Sequence, residues 1–171
     1  MDNINVLIDE EKLDKKVRQI AKRIEQDYAG KEITLICILK GSTFFTVDLA
    51  KKINGNVKIE FIQVSSYGAS TISSNIELKL DLKESIENKD VIIVEDIIDT
   101  GRTLSYLIEH LKGRNPKSLK LCALLDKPER RQYDVKVDYV GFEIPDKFVV
   151  GYGLDYNEMY RNLPYVGYIG E

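Results

Sequence analysis

Short runs of apolar residues alternate along this chain with segments in which apolar residues recur every three or four positions. Thr34 to Leu39, Val91 to Val94 and Ser118 to Leu125 are the clearest runs. They are too short for helices and lie between polar breakers, which predicts strands buried on both faces. Val57 to Val64 alternates well enough to predict another strand, and Val137 to Glu143 a short one. Between the first runs, Leu13, Val17, Ile20, Ala21, Ile24 and Tyr28 form one helical stripe, with Asp9 placed to cap its start and Ala29-Gly30 to end it. Thr43 to Ile53 predicts a second helix after the Lys40-Gly41-Ser42 break, and Leu104, Leu107, Ile108 and Leu111 predict a third. Strands alternating with helices predict an α/β fold of three layers on a mostly parallel central sheet, with functional loops at one end. Tyr165 to Ile169 is expected to close an edge of that sheet.

Ser65 to Asn75 is polar with almost nothing to bury. It lies between the Val57 to Val64 strand and a returning strand at Ile76 to Leu80, so its ends should form a hairpin and its middle a flexible lid loop. A length of 171 residues with 43% hydrophobic content predicts a single domain, residues 1–171, with a sizeable core. No apolar run approaches a membrane span, and Met1 to Leu7 lacks a secretion signal, so no membrane partner and a cytoplasmic location are expected. Cys37 and Cys122 sit inside apolar runs and read as small buried hydrophobes. His110, the single histidine, has no second histidine to work with and reads as structural or solvated. A net charge of -3 gives no expectation of nucleic-acid binding.

The chemistry concentrates in Val91 to Leu104. Glu95 and Asp96 are expected to emerge where the buried strand ends, the position at which ligands bind in sheets of this kind. Gly101 at a helix start lets the backbone approach an anion. Free amides, the helix dipole and the hydroxyls of Thr100 and Thr103 then favour a phosphate. The spacing is not that of a Walker loop, and no Gly-x-Gly-x-x-Gly fingerprint is present. Two carboxylates beside an anion site would repel the ligand unless they hold a cation or accept hydrogen bonds from sugar hydroxyls, so a phosphate, a diol and magnesium fit together. The plainer reading makes Glu95 and Asp96 solvated strand-end charges and Asp99 a helix cap. Asp99-Thr100-Gly101 also matches the aspartic-protease triplet, but that chemistry needs two carboxylates sharing a proton in a β-rich fold.

Glu95-Asp96-Ile97-Ile98-Asp99-Thr100-Gly101-Arg102-Thr103 resembles the phosphoribosyl pyrophosphate (PRPP) motif of the type I phosphoribosyltransferases, and the two isoleucines suit the 6-oxopurine branch. Leu39-Lys40-Gly41-Ser42, Ser66-Tyr67, Lys127 and Asp146 to Tyr156 support the resemblance, which runs from about Asp9 to Gly170. It implies the fold of that family, with a small hood built from the terminal segments. It further implies transfer of phosphoribosyl from PRPP to hypoxanthine, and to guanine as well, with release of pyrophosphate. Glu95 and Asp96 would bind the ribose hydroxyls directly or through magnesium, Asp99 to Thr103 (Thr100, Gly101 and Arg102 between them) the 5′-phosphate, and Asp99 would be the general base at purine N7. Lys127 would donate to the 6-oxo oxygen, Phe148 would stack on the ring, and the Val149 carbonyl would accept from the guanine amine. Asp155 would help hold a second magnesium. Lys40, Gly41 and Arg161 would bind pyrophosphate, and Leu39-Lys40 is the place for the cis peptide that members of the family often carry. Ser66 and Tyr67 would belong to the lid closing over the site. Arg131 could serve the pyrophosphate side or cover the sheet end. A homodimer or homotetramer is implied. A regulatory RNA-binding protein on the same fold would want a basic face, which the net charge does not promise.

Overall fold

Side chains along the central strands divide with a period of two between two cores, and that division makes the fold three-layered. The computed structural model describes residues 3–67 and 75–170. Its larger sheet contains β2 (Ile33–Ile38), β3 (Val57–Tyr67), β4 (Asn75–Leu80), β5 (Asp90–Ile98), β6 (Ser118–Asp126) and β7 (Tyr139–Glu143). Their order is β4-β3-β2-β5-β6-β7, parallel throughout except for the antiparallel β3–β4 pair. Ile33 and Leu35 of β2, Ile92 and Val94 of β5, and Cys122 and Leu124 of β6 pack with α1 (Glu10–Asp27) and α2 (Thr43–Lys52). The alternate residues Ile36, Ile38, Val91, Ile93, Leu121 and Ala123 pack with Leu104, Leu107 and Leu111 of α3 (Arg102–Lys112). A strand covered on both faces needs apolar residues at every position, which explains the unbroken runs.

Local chemistry sets the helix limits. Asp9 Oδ1 accepts a 2.8 Å hydrogen bond from the Lys12 amide, capping α1, whose stripe Leu13, Val17, Ile20, Ala21 and Ile24 is buried. Leu107 is fully buried under the sheet. Leu107→Ala should therefore cost about 2–5 kcal/mol of stability, read as a lowered urea midpoint with an unchanged slope.

Two expectations are corrected. β5 does not stop at Val94, because its pairing with β6 continues through Glu95↔Ala123, Ile97↔Leu125 and Ile98↔Asp126, so Glu95 and Asp96 lie within the strand. Tyr165 to Ile169 does not close the central sheet. Its strand β9 (Val166–Ile169) is the middle of a separate antiparallel sheet with β1 (Ile4–Ile8) and β8 (Val149–Val150). This small sheet joins the two chain ends through Ile4↔Ile169, forming the hood, and Ile8, Val149 and Val166 share the core of α1 and α2.

The hairpin expected around the lid is present, with Ser66↔Ile76 and Tyr67↔Asn75 in register. β3 runs to Tyr67 rather than Val64, and the expected lid tip at 68–74 lies outside the described residues. Cys37 and Cys122 are buried free thiols, as expected. Among the described residues no helix is long and apolar enough to cross a membrane.

Candidate active site

Between the end of β5 and the start of α3 only Asp99, Thr100 and Gly101 intervene, and Gly101 is the N-cap, in the left-handed region at φ +83°. A Cβ there would lie 3.1 Å from the Tyr133 carbonyl oxygen and 3.2 Å from Arg131 Cδ, so both backbone strain and crowding demand glycine. The Thr100 carbonyl accepts from the amides of Gln132 (2.9 Å) and Tyr133 (3.1 Å), fixing the turn from beneath. Arg131 contributes to that floor. It donates to the Asp126 carboxylate and, at 3.3 Å, to the Val135 carbonyl, so it covers the sheet end. The first amides of α3 have no carbonyl of their own helix to reach, and the helix dipole adds to their attraction for an anion. They border a cleft of about 240 Å³ lined by Glu95, Asp99, Thr100, Gly101, Arg102 and Thr103 among others. Asp99 is not the helix cap. Its Oδ1 accepts a 3.0 Å hydrogen bond from Arg130 Nε.

Glu95 and Asp96 are held by the backbone around them. Asp96 N donates to Glu95 Oε1 at 3.0 Å, and Ile97 N to Asp96 Oδ1 at 2.7 Å. The other Asp96 oxygen occupies the space that a side chain on Gly41 would need. Burial pushes both carboxyls above the usual carboxylate range, and Glu95 is raised further by the neighbouring Asp96 charge. Partly buried carboxylates that repel one another, offering only oxygen, fit a hard cation. Among the described residues no three His, Cys, Asp or Glu side chains converge on one point. A cation at this pair would therefore take one or two protein ligands and fill its shell with water and substrate oxygens, the habit of magnesium.

The Leu39-Lys40 peptide is cis, as the resemblance implies. Lys40 Nζ donates to Glu158 Oε2 at 2.6 Å. Arg161 Nη2 reaches Glu158 Oε1 at 3.1 Å and Asp155 Oδ1 at 3.0 Å, while its Nη1 donates to the Gly153 carbonyl at 2.6 Å. Hydrogen bonds from Lys40 and Arg161 hold the Glu158 carboxyl below its ordinary range. Gly153, at φ +102°, packs so tightly that a Cβ would strike the Gly41 carbonyl oxygen. The C-terminal loop thus docks on the Lys40-Gly41 turn, bringing Lys40, Gly41, Asp155 and Arg161 together.

On the other side, Lys127 is buried, and its Nζ lies 3.4 Å from Asp146 Oδ1. Asp146 Oδ2 is 3.7 Å from Arg130 Nη1, so Asp99, Arg130, Asp146 and Lys127 form one chain of ion pairs. Phe148 stands apart from it, 56% exposed and edge-on to Tyr156 at 5.6 Å. Val149 is buried in β8. Ser66 and Tyr67 end β3, and their side chains lie outside the described residues. Sequence reasoning gave no role to Arg130, Asp146 or Glu158. The only signal for Arg130 was its place three residues after Lys127 in a charged run.

The phosphoribosyl transferase domain family matches residues 6–157. A hypoxanthine-guanine phosphoribosyltransferase of Bacillus subtilis is 50% identical over 163 residues, covering 95% of this chain and 91% of that protein. The bifunctional protein TilS/HprT of Listeria innocua is also 50% identical over 163 residues, and there the chain spans only 25% of the relative's length. A crystal structure of a hypoxanthine-guanine phosphoribosyltransferase from Bacillus anthracis superposes with a TM-score of 0.95 at 48% identity, covering 99% of this chain and 100% of that one. With the strand-end site, these likenesses mean that the chain belongs to the type I phosphoribosyltransferases, among the bacterial hypoxanthine-guanine phosphoribosyltransferases.

Proposed function

We propose that the chain transfers the 5-phosphoribosyl group of PRPP to hypoxanthine and guanine, forming IMP or GMP and releasing pyrophosphate, a purine salvage reaction. The observation that carries this reading is the joining, at one end of β5, of an anion-binding helix start at Gly101 with a carboxylate pair set against the Lys40-Gly41 turn. The amides and hydroxyls from Thr100 to Thr103 bind the 5′-phosphate, and Arg102 borders it. Glu95 and Asp96 take the ribose diol, directly or through magnesium, and Asp155 would help hold a second magnesium. Magnesium bound there would neutralise the charge building on the departing pyrophosphate. Lys40, Gly41 and Arg161 bind that pyrophosphate, exchanging the contacts that Glu158 and Asp155 now make with the two cations.

As the purine N9 lone pair bonds to the ribose carbon, the bond to pyrophosphate breaks and the N7 proton passes to Asp99. Lys127 carries donors and no acceptor, so it pairs with the 6-oxo oxygen and leaves the amino group of adenine unpaired, a mismatch of about 1–3 kcal/mol. Phe148 offers an open ring face to the base, and the Val149 carbonyl accepts from the guanine amine. Ser66 and Tyr67 belong to the segment that covers the reacting centre. Self-association as a dimer or tetramer is part of the proposal, since Phe44 and Val47 on α2 and Ile59 and Phe61 on β3 leave apolar surface exposed. Light scattering on the purified protein checks it. The main test mixes protein, magnesium and PRPP with hypoxanthine, guanine, xanthine or adenine and follows nucleotide formation. Turnover with hypoxanthine and guanine, and at least about tenfold less with adenine, is expected. No turnover with hypoxanthine overturns the proposal.

A further inference from the structure

Arg130 and Arg131 are adjacent, yet the turn Pro128–Arg130 sends them to opposite jobs. That turn is fixed by Arg130 N donating to Lys127 O at 3.1 Å and Arg131 N to Pro128 O at 3.2 Å. Arg131 is tied into the floor of the phosphate turn through Asp126 and Val135. Arg130 is instead half-exposed and spans three loops. Its Nε donates to Asp99 Oδ1 at 3.0 Å, after β5, and its Nη1 lies 3.7 Å from Asp146 Oδ2, after β7, while it stands itself after β6. Asp146 turns its other oxygen to Lys127 Nζ. Among the described residues Asp99 Oδ2 has no hydrogen-bond partner.

An exposed ion pair of this kind adds little to folding stability. Its geometric effect is larger. A carboxylate attached by two rotatable bonds can exchange its oxygens, and a single donor on Oδ1 removes that freedom while leaving Oδ2 open. We propose that Arg130 is a positioning residue for purine transfer, holding Asp99 by Oδ1 so that Oδ2 takes the N7 proton, and coupling that carboxylate through Asp146 to Lys127. This rests on the reading of Asp99 as the general base. The proton leaves N7 for Oδ2 as the N9 lone pair forms the new bond and the bonding pair departs with pyrophosphate, so Arg130 itself neither gains nor loses a proton.

The test compares steady-state kinetics with hypoxanthine and PRPP for the wild type, Arg130→Ala, Asp99→Asn and the double variant. Arg130→Ala should lower kcat about tenfold and leave the KM for PRPP within about twofold, because misplacing a reacting group by a fraction of an ångström costs rate rather than binding. In the Asp99→Asn background the same change should alter kcat by less than about twofold, since residues acting as a unit are not additive. The proposal is overturned by wild-type kcat in Arg130→Ala, or by losses that multiply in the double variant. Equal loss of kcat and PRPP affinity together with a lower melting temperature would also overturn it, by making Arg130 structural. Wild-type turnover in Asp99→Asn would refute the base reading and the Arg130 proposal with it. Failure of the wild type to use hypoxanthine marks the separate failure of the proposed reaction.

Discussion

Asp99→Asn is expected to lower kcat for transfer to hypoxanthine by about 10²- to 10⁴-fold, the range for loss of a positioned general base, while the KM for PRPP changes by less than about threefold. The substitution is nearly isosteric. Its carbonyl oxygen can still accept from Arg130 Nε, as Oδ1 does, so the side chain's anchor survives. The amide nitrogen replacing Oδ2 has no lone pair available for a proton, so only the transfer itself is lost. The phosphate turn should be indifferent to the change, because its shape comes from the left-handed Gly101 and from the Gln132 and Tyr133 amides on the Thr100 carbonyl. Neither depends on the Asp99 side chain, which is not the cap of α3. Single-turnover experiments with saturating PRPP separate the chemical step from product release. An equal loss in kcat and in PRPP affinity would mean that Asp99 shapes the turn.

Where local signals carry structure, the sequence was legible. The Asp9 cap, the α1 stripe and the buried runs in β2, β5 and β6 can each be read from a dozen neighbouring residues, because one helix face or one strand decides them. The hood could not be read that way. β1 is only partly buried, and its pairing partner is at the other end of the chain, so nothing near Ile4 announces Ile169. The limit of β5 is not local either, because Glu95 and Asp96 look like a strand end, whereas continued pairing with β6 carries the backbone to Ile98. The site divides similarly. The contiguous stretch from Glu95 to Thr103 displays its chemistry in order, whereas Lys127 stands out only through the family resemblance. Arg130 and Glu158 are hidden because their meaning lies in partners on other loops, Asp99 and Asp146 for one, Lys40 for the other. In a one-dimensional reading such charges look like solvated surface.

Gly41→Ala is the second large effect expected, and it tests a feature that the sequence could not display, the fit between two loops at the carboxylate pair. A methyl group at Gly41 would fall on Asp96 Oδ2 and lie 2.7 Å from Asp96 Cγ. Asp96 has little room to yield. Its Oδ1 is tied to the Ile97 amide at 2.7 Å, and its backbone is held in β5 between Glu95 and Ile97, both of which pair with β6. The Lys40-Gly41 turn cannot easily retreat either, since Gly153 already presses on the Gly41 carbonyl and the Arg161 guanidinium is anchored to the Gly153 carbonyl. With both backbones held, the strain must be relieved by breaking the bond to the Ile97 amide and swinging the Asp96 carboxylate away from the proposed ribose and metal position. A displacement of about 1 Å at a reacting centre costs about 10²-fold in rate. The expected result is a fall of about that size in kcat/KM for PRPP, with a higher KM for PRPP, since the proposed function has this pair and turn bind it. Folding should be less affected, because relief comes at a partly buried polar side chain that belongs to neither core. A circular dichroism melt near the wild-type temperature, beside a 10²-fold kinetic loss, would place the damage at the carboxylate. Wild-type kinetics would mean that Asp96 has freedom its hydrogen bonds do not suggest, and the claim that glycine is needed there would fall.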